Sequence, residues 1–437
     1  MSSGNLQPIQ GMSDLSAPEI RLWQEIEGKA RRILSLYGYE EIRTPVLEYT
    51  SVFTRSIGDA TDIVQKEMYT FEDRGGRQIS LRPEGTASVM RYAAGLGPEA
   101  EGLRLYYIGP MFRCERPQAG RKRQFHQLGS EMIGQASPAA DVETLALQMH
   151  LLSSWGLEGC SVEINTRGLP EDRQAVAEGL AAALQPHREA LCEDCRRRFD
   201  ANILRILDCK KDACKKIADG LPPVTDFMSE ASRQYLDEVK RLLDLLNIPV
   251  RLNPRLVRGL DYYVHTVWEI THGALGAQNA IAGGGRYRME MDGRTIDGVG
   301  FAMGLERVVS ALQAALQGQA PVAGERPVWL VSMGQKAFEE NMVLAQTLRL
   351  RGLSCGFNLT PGSMKSQMRA ANRAQAAQAI IRGDREIESG AFLLKNMADG
   401  VQQELDMPAL LNTLLDSRID PAHTPAKAET TNPAGSP

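Results

Sequence analysis

The sequence predicts a mixed α/β protein in two units, α+β in the larger one. That unit is a mainly antiparallel sheet interrupted by a helical insertion, and a small α/β domain follows it. Three observations carry this. Strand-like segments fill residues 67–134 and return at 252–304, while the stretch from about 168 to 245 is helical, highly charged and without strand signals. GQAPVAGE, at 318–325, reads as a small-residue and proline linker, after which strands and helices alternate. At 437 residues the chain is also too long for one ordinary core. The expected limits are 1–322 for the first unit with its insertion at 168–245, 323–417 for the second, and a disordered polar, proline-rich tail at 418–437.

SAPEIRLWQEIEGKARRILSLYGY opens the order of elements with a helix. Ser16 is placed to cap it, Glu19 to complete a capping box, and Pro18 suits the first turn. Ile20, Trp23, Ala30, Ile33 and Leu34 recur near helical spacing, and Gly38 ends the run. EEIRTPVLEY is short, β-branched and broken by Pro45, which belongs on an edge strand or at an interface. EMYTFEDRGGRQISLRP predicts a hairpin closed over Arg74-Gly75-Gly76-Arg77. LRLYYIGPMFRCE and QFHQLGSEMIG are two further strands. Residues 138–157 are helical and SVEINTRG is a strand. Beyond the insertion, LNPRLVRGLDYYVHTVWEI, AQNAIAGGGRYRMEM and TIDGVGFAMG contain strands, the last running into the helix LERVVSALQAALQ. Glycine density in AGGGRY and GVGFAMG points to backbone held close to a ligand or another strand. In the second unit PVWLVSM, LSCGFNL, QAIIRGD and AFLLKNM are strands, with helices in QKAFEENMVLAQTLRLRG and SMKSQMRAANRAQA.

Composition excludes several classes of function. Hydrophobic content of 43% with 24% charged residues is that of an ordinary soluble globular protein. A net charge of −4 argues against bulk coating of nucleic acid, so a polyanion must be held by local basic patches. MSSGNLQPIQ lacks the charged and apolar regions of a secretory signal, and no apolar run is long enough for a bilayer. Seven cysteines suggest no disulfide framework, which leaves the cytoplasm as the expected compartment. The P-loop and dinucleotide glycine patterns are absent, as is the H-E-x-x-H spacing of zinc proteases.

FRCERPQAGRKRQFHQLGSE, residues 112–131, places five Arg or Lys within eleven positions. Such a run is ordinarily a solvated face. Here it joins two strands, and side chains alternate across a strand, so Arg113 and Glu115 share one face while Phe125, Gln127, Gly129 and Glu131 share one on the return. Paired as a hairpin, the strands would gather an arginine, a glutamine and carboxylates on one surface, with YYIGPMF and MIG implying cover on the other. Arginines beside carboxylates on a cupped antiparallel sheet suit displacement at phosphorus, where the protein supplies charge and position.

FRCERPQAGRKRQFHQLGSE resembles motif 2 of the class II aminoacyl-tRNA synthetases in their histidine-specific branch, YGYEEIRTPVLE resembles motif 1, and GVGFAMGLERVV motif 3. LRPEGT and LVRGLDYY are similar to the histidine-specific signatures, and the C-terminal unit to the anticodon-binding domain of these enzymes. The likeness covers roughly residues 5–415. It implies that histidine's carboxylate attacks the α-phosphate of ATP and that the acyl group then passes to the terminal ribose of tRNA(His). By motif, Arg113 and Arg258 are the implied catalytic cations at the α-phosphate, and Arg121 and Arg307 meet the outer phosphates, bridged by Mg²⁺. The alternative use for Arg258 is an ion pair with Asp261. Glu84, Gly85, Thr86, Gln127, Glu131, Tyr262 and Tyr263 are the implied histidine-binding residues. Glu84 and Thr86, two apart, would be aimed the same way by extended backbone. Glu131 and Tyr263 would bond the two imidazole nitrogens. Arg116, Gln118 and Arg123 would project from the hairpin tip toward the acceptor end of tRNA. Pro45 falls where the family's dimer interface lies, so a homodimer is implied.

One departure is Arg288-Met289-Glu290 after GGGRY, where the family continues Asp-Gly. Cys192-x-x-Cys195 and Cys209-x4-Cys214 have near-zinc spacing, but the family requires no metal there, so four reduced thiols are the expectation and a structural zinc the lesser reading. Two other functions fit parts of the pattern: a synthetase-like regulatory subunit of ATP phosphoribosyltransferase, and a binding module with a degenerate pocket. Paralogues of the first kind typically lack the LVRGLDYY arginine and the anticodon-binding domain, and intact pocket residues argue against the second.

Overall fold

A computed structural model describes residues 6–58, 61–115, 122–276, 279–291, 293–315 and 326–419. The expected linker at 318–325 and most of the expected tail lie outside these residues. The chain divides into two compact units, Met1–Pro321 and Val322–Pro437.

In the first unit the strands are β1 (Glu40–Glu41), β2 (Leu47–Tyr49), β3 (Thr70–Glu72), β4 (Gln78–Leu81), β5 (Arg104–Phe112), β6 (Gln124–Ile133), β7 (Cys160–Thr166), β8 (Val250–Leu252), β9 (Tyr263–His272), β10 (Ala280–Met291) and β11 (Arg294–Gly304). Eight of them form one sheet in the order β1-β5-β6-β11-β10-β9-β7-β8. It is antiparallel except at its margins, where β1 runs parallel to β5 and β8 to β7. Short connections favour this pairing, since an antiparallel neighbour needs only a hairpin. The predicted 67–83 hairpin is β3–β4, which joins β2 in a separate three-stranded sheet. Its turn is held by Asp73, whose carboxylate accepts from the backbone N–H groups of Gly75 and Arg77.

One face of the large sheet is packed under the helices Glu19–Leu36, Pro138–Ser154, Glu230–Leu245 and Leu305–Ala315. The first presents Trp23, Ile26, Ala30, Ile33 and Leu34 to this core at the predicted spacing. Each of its large apolar side chains gains about 1.5–3 kcal/mol from burial, before entropy is counted. The expected capping box does not form. Pro18 stands at the N-cap and Ser16 contributes its carbonyl, which accepts the Ile20 N–H at 3.0 Å. The other face is covered by the helix Thr86–Leu96, whose Val89, Met90 and Ala93 meet Leu105, Tyr107, Met111, Tyr263 and Tyr287. The inserted segment builds a small core of its own from Val176 to Met228, which also takes in Val257.

A buried ion pair ties the helical layer to the sheet. Asp141, on Pro138–Ser154, lies 2.6 Å from the Arg286 guanidinium of β10, both side chains almost wholly excluded from water. Asp141 also accepts from Thr266 at 2.6 Å and Tyr235 at 3.0 Å. Replacing one member leaves the other buried and uncompensated. Asp141→Ala is therefore expected to cost about 3–5 kcal/mol of unfolding free energy in urea titration, and a loss below about 1 kcal/mol would show that the pair is dispensable.

The second unit contains β12 (Val328–Ser332), β13 (Cys355–Phe357), β14 (Gln378–Arg382), β15 (Phe392–Asn396) and β16 (Gln402–Leu405), in the order β13-β12-β14-β15-β16. The first three are parallel, as the predicted β-α-β-α-β alternation requires, and β15 and β16 return antiparallel. The helix Met407–Ile419, absent from the sequence reading, adds Leu410 and Leu414 to this unit's core.

Candidate active site

The β5–β6 hairpin pairs as the alternation required, with Tyr107 opposite Gly129 and Leu105 opposite Glu131. Leu128 and Met132 point into the helical core. Phe125, Gln127 and Glu131 face the opposite way, into two adjoining cavities. The outer cleft, about 220 Å³, is lined by Arg113, Glu115, Lys122, Phe125, Gln127, Gly304, Glu306 and Arg307. The inner pocket, about 60 Å³, is walled by residues of four segments: Glu84 and Thr86; Arg113, Gln127 and Glu131; Arg258, Tyr262 and Tyr263; Gly283, Tyr287 and Gly300. Arg113 and Gln127 line both spaces and form the passage between them.

The inner pocket is built for a polar ligand. Gln127 Oε1, Glu131 Oε2, Arg258 Nε and the Tyr287 hydroxyl are buried on its wall without a hydrogen-bond partner. A buried polar group left in that state costs about 1–3 kcal/mol, so four around one space mark where a ligand's own donors and acceptors belong. A larger cavity of about 280 Å³ lies beside β8, lined by Leu207, Asp219, Arg251 and Arg255 among others. None of its side chains carries such an atom, and Arg255 is already paired with Asp219. Size alone does not mark the site.

Local structure explains how each side chain is held. Glu84 and Thr86 do share the pocket, but not through extended backbone. Thr86 begins a helix, and the Glu84 carboxylate receives the N–H groups of Thr86 and Ala87 at 2.8 and 2.7 Å. Burial nevertheless pushes the Glu84 carboxyl upward, with those N–H groups opposing the shift. Gly85, at this helix's N-cap, and Gly129 both press on the ring of Tyr107, where a Cβ would lie 2.2 and 2.3 Å from it. The Thr86 hydroxyl donates to Glu131 Oε1 at 2.7 Å. Burial raises the Glu131 carboxyl to about 8, against the pull of Thr86 and of Tyr287, whose hydroxyl is close by without reaching hydrogen-bond geometry.

Arg258 pairs with Glu269 at 3.1 Å, not with Asp261; the latter accepts from Asn202 at 3.4 Å. Its guanidinium lies over Gly283, where a Cβ would stand 2.5–2.7 Å from three guanidinium atoms. The glycine run in β10 therefore makes room for side chains of the pocket. Gly300 serves likewise beside Glu131 Oε2. Arg113 donates to the Pro83 carbonyl at 2.9 Å and packs over Phe125. Arg307 donates to the Ala280 carbonyl at 2.5 Å. Glu306 is fixed by the His126 backbone N–H and ring, 2.9 and 3.1 Å away.

Arg123 sits at the base of the hairpin rather than its tip, donating to the Glu115 carbonyl at 3.3 Å. Arg116, Gln118 and Arg121 lie outside the described residues. The residues after GGGRY extend β10 regularly: Arg288 pairs with Asp297 at 2.8 Å, Met289 is buried and Tyr287 joins the pocket. Sequence reasoning missed Tyr287, Lys122 and Glu306 as walls of these spaces. The only signal for Tyr287 was its place after the glycine run.

An antiparallel sheet carrying this basic hairpin, a cationic cleft and an adjoining polar pocket defines the class, a class II aminoacyl-tRNA synthetase core. The family model described as "Histidyl-tRNA synthetase" matches residues 11–308, and "Anticodon binding domain" matches 327–417. The histidine--tRNA ligase of Halothermothrix orenii is 45% identical over 93% of this chain and 98% of its own. That of Bacillus cytotoxicus is 42% identical over 95% and 100%. The apo histidyl-tRNA synthetase of S. aureus superposes with a TM-score of 0.79 at 33% identity, covering 94% of this chain and 99% of that one. The chain belongs to the histidyl-tRNA synthetase family, as the five motifs implied.

Proposed function

We propose that this chain is a histidine–tRNA ligase that activates histidine with ATP and transfers it to the 3′ end of tRNA(His). The observation that carries the reading is the ring of unpartnered polar groups around the inner pocket, opening through Arg113 and Gln127 onto a cleft flanked by cations. Histidine occupies the inner pocket, with its ring between Glu131 and Tyr263 and its α-amino group near Glu84, Thr86 and Gln127; Tyr262 and Gly85 shape the wall. An apolar isostere is rejected there because it would strand those groups.

ATP enters the cleft as its Mg²⁺ complex. A carboxylate oxygen of histidine bonds to the α-phosphorus, the bond from that phosphorus to the bridging oxygen breaks, and pyrophosphate leaves. Arg113 and Arg258 stabilise the charge that builds on the α-phosphoryl oxygens, while Arg307 and Arg121 hold the outer phosphates. A ribose hydroxyl of the terminal adenosine then takes the acyl group, its proton goes to solvent or phosphate, and AMP leaves. Arg116, Gln118 and Arg123 contact the acceptor end, and the second unit binds tRNA further along. The catalytic unit is proposed as 1–322 with its insertion, the anticodon unit as 323–417. The working form is a cytoplasmic homodimer, supported by the exposed Val46, Leu47, Tyr49 and Phe71 around Pro45. Among the described residues no helix is long and apolar enough to cross a membrane.

The test is ATP–pyrophosphate exchange without tRNA, run with each of the twenty amino acids. Exchange that depends on histidine alone is expected. Exchange with none, or with another amino acid, overturns the assignment.

A further inference from the structure

The inserted helical segment brings four cysteines to one point. Cys192 precedes the helix Glu193–Ala201, Cys195 lies in its first turn, Cys209 follows the turn Ile203–Ile206, and Cys214 lies in the helix Asp212–Asp219. Their Sγ atoms all fall within 4.8 Å of one another, and three of the four residues are buried. Zinc–thiolate bonds of about 2.3 Å in a tetrahedron put sulfur atoms about 3.8 Å apart. The Cys192 and Cys209 sulfurs are 3.9 Å apart, too far for a disulfide and right for a shared ion. The backbone N–H of Cys192 donates to Cys214 Sγ at 3.3 Å, a bond that favours thiolate. Cys195, Cys209 and Cys214 are each followed at once by Arg or Lys, cations suited to offset a tetrathiolate's excess negative charge.

The cluster also bears on the loop that carries Arg258. Between Cys195 and Cys209, Asn202 donates to the Asp261 carboxylate at 3.4 Å. Arg205 lies 3.6 Å from Asp62, and its guanidinium reaches within 3.0 Å of where a Gly259 Cβ would stand. Val257 is buried in the same small core as three of the cysteines. The segment closed by the four thiols therefore touches both sides of Arg258.

We propose that Cys192, Cys195, Cys209 and Cys214 bind one structural Zn²⁺ as a closed tetrathiolate, and that this ion fixes the segment that props the Arg258 loop. Binding displaces four thiol protons to solvent and leaves no open coordination position, so the ion takes no part in the chemistry. This reverses the weight given to reduced thiols, which rested on the family's requiring no metal there; near-zinc spacing alone cannot show that the two pairs meet.

The first test is elemental analysis of the full-length wild-type protein, purified with reductant and without added metal. About one zinc per chain is expected. Iron in its place, no metal with four freely titrating thiols, or a mass showing two disulfides each overturns the proposal. This count does not depend on the ligase reading. Cobalt exchanged into the site should give the visible bands of a tetrahedral tetrathiolate centre, and Cys192→Ser, at the least buried ligand, should weaken metal binding by about tenfold or more. The coupling has a separate readout. On removal of zinc, amide exchange should quicken in residues 192–219 and in 256–262 while the helix Pro138–Ser154 keeps its protection. Exchange at 256–262 that is indifferent to zinc would refute the bracing role and leave the metal site standing.

Discussion

Arg258→Ala is expected to slow histidine-dependent ATP–pyrophosphate exchange by about 10²–10³-fold, while the dissociation constant of histidine alone stays within about threefold. The asymmetry follows from where the guanidinium sits. It lies at the wall between Glu269 and Gly283, paired on one side and with Nε unpartnered on the other. A cation held this way needs no reorganisation when charge builds on a phosphoryl group, so its loss falls on the transition state. Gly283→Ala gives a second route to the same deficit. A methyl group would displace the guanidinium, which is the far end of a flexible side chain, so exchange should fall with little change in urea midpoint. Rapid-quench measurement of adenylate formation separates the steps. Wild-type rates in Arg258→Ala would remove this residue from the chemistry.

The elements that the sequence announced most clearly are those whose period is set by one dominant face. The helix Glu19–Leu36 and the β5–β6 hairpin each bury a continuous apolar row, and the alternation that put Gln127 and Glu131 together on one side leaves Leu128 and Met132 to the core on the other. What stayed hidden depends on partners distant in the chain. Nothing near Arg258 distinguishes Asp261 from Glu269, because the choice is made by the pairing of β9 with β10. That pairing shifts register between Gly285 and Arg286, and His265, opposite the irregularity, adopts a φ of 47°. Glu84 misled for another reason. A carboxylate two residues before a helix reads as a ligand or as a cap, and here it is both a pocket wall and the acceptor for two N–H groups. Convergence of the cysteines is likewise a property of three short helical pieces folding on one another.

Glu131→Gln should weaken histidine about 10- to 100-fold at pH 8 and leave only the imidazole's own titration in the pH dependence of its binding. In the free protein burial holds the Glu131 carboxyl near 8, against an ordinary 4.5. Between those values the folded chain retains a proton that the unfolded chain has lost, so this group makes stability fall as pH rises through that window, and Glu131→Gln should flatten the decline. Histidine reverses the balance in the pocket. A neutral imidazole that donates one N–H to Glu131 and accepts from Tyr263 requires the carboxylate. Binding near pH 7 should therefore release close to one proton, and affinity should rise from about pH 6.5, where the free imidazole loses its charge, to a plateau above about 8. Titration calorimetry in buffers of different ionisation enthalpy counts that proton. A count near zero in the parent would mean that the ring is bound as imidazolium with the proton shared inside the pocket, and a variant that binds as tightly as the parent would remove Glu131 from contact with the ring.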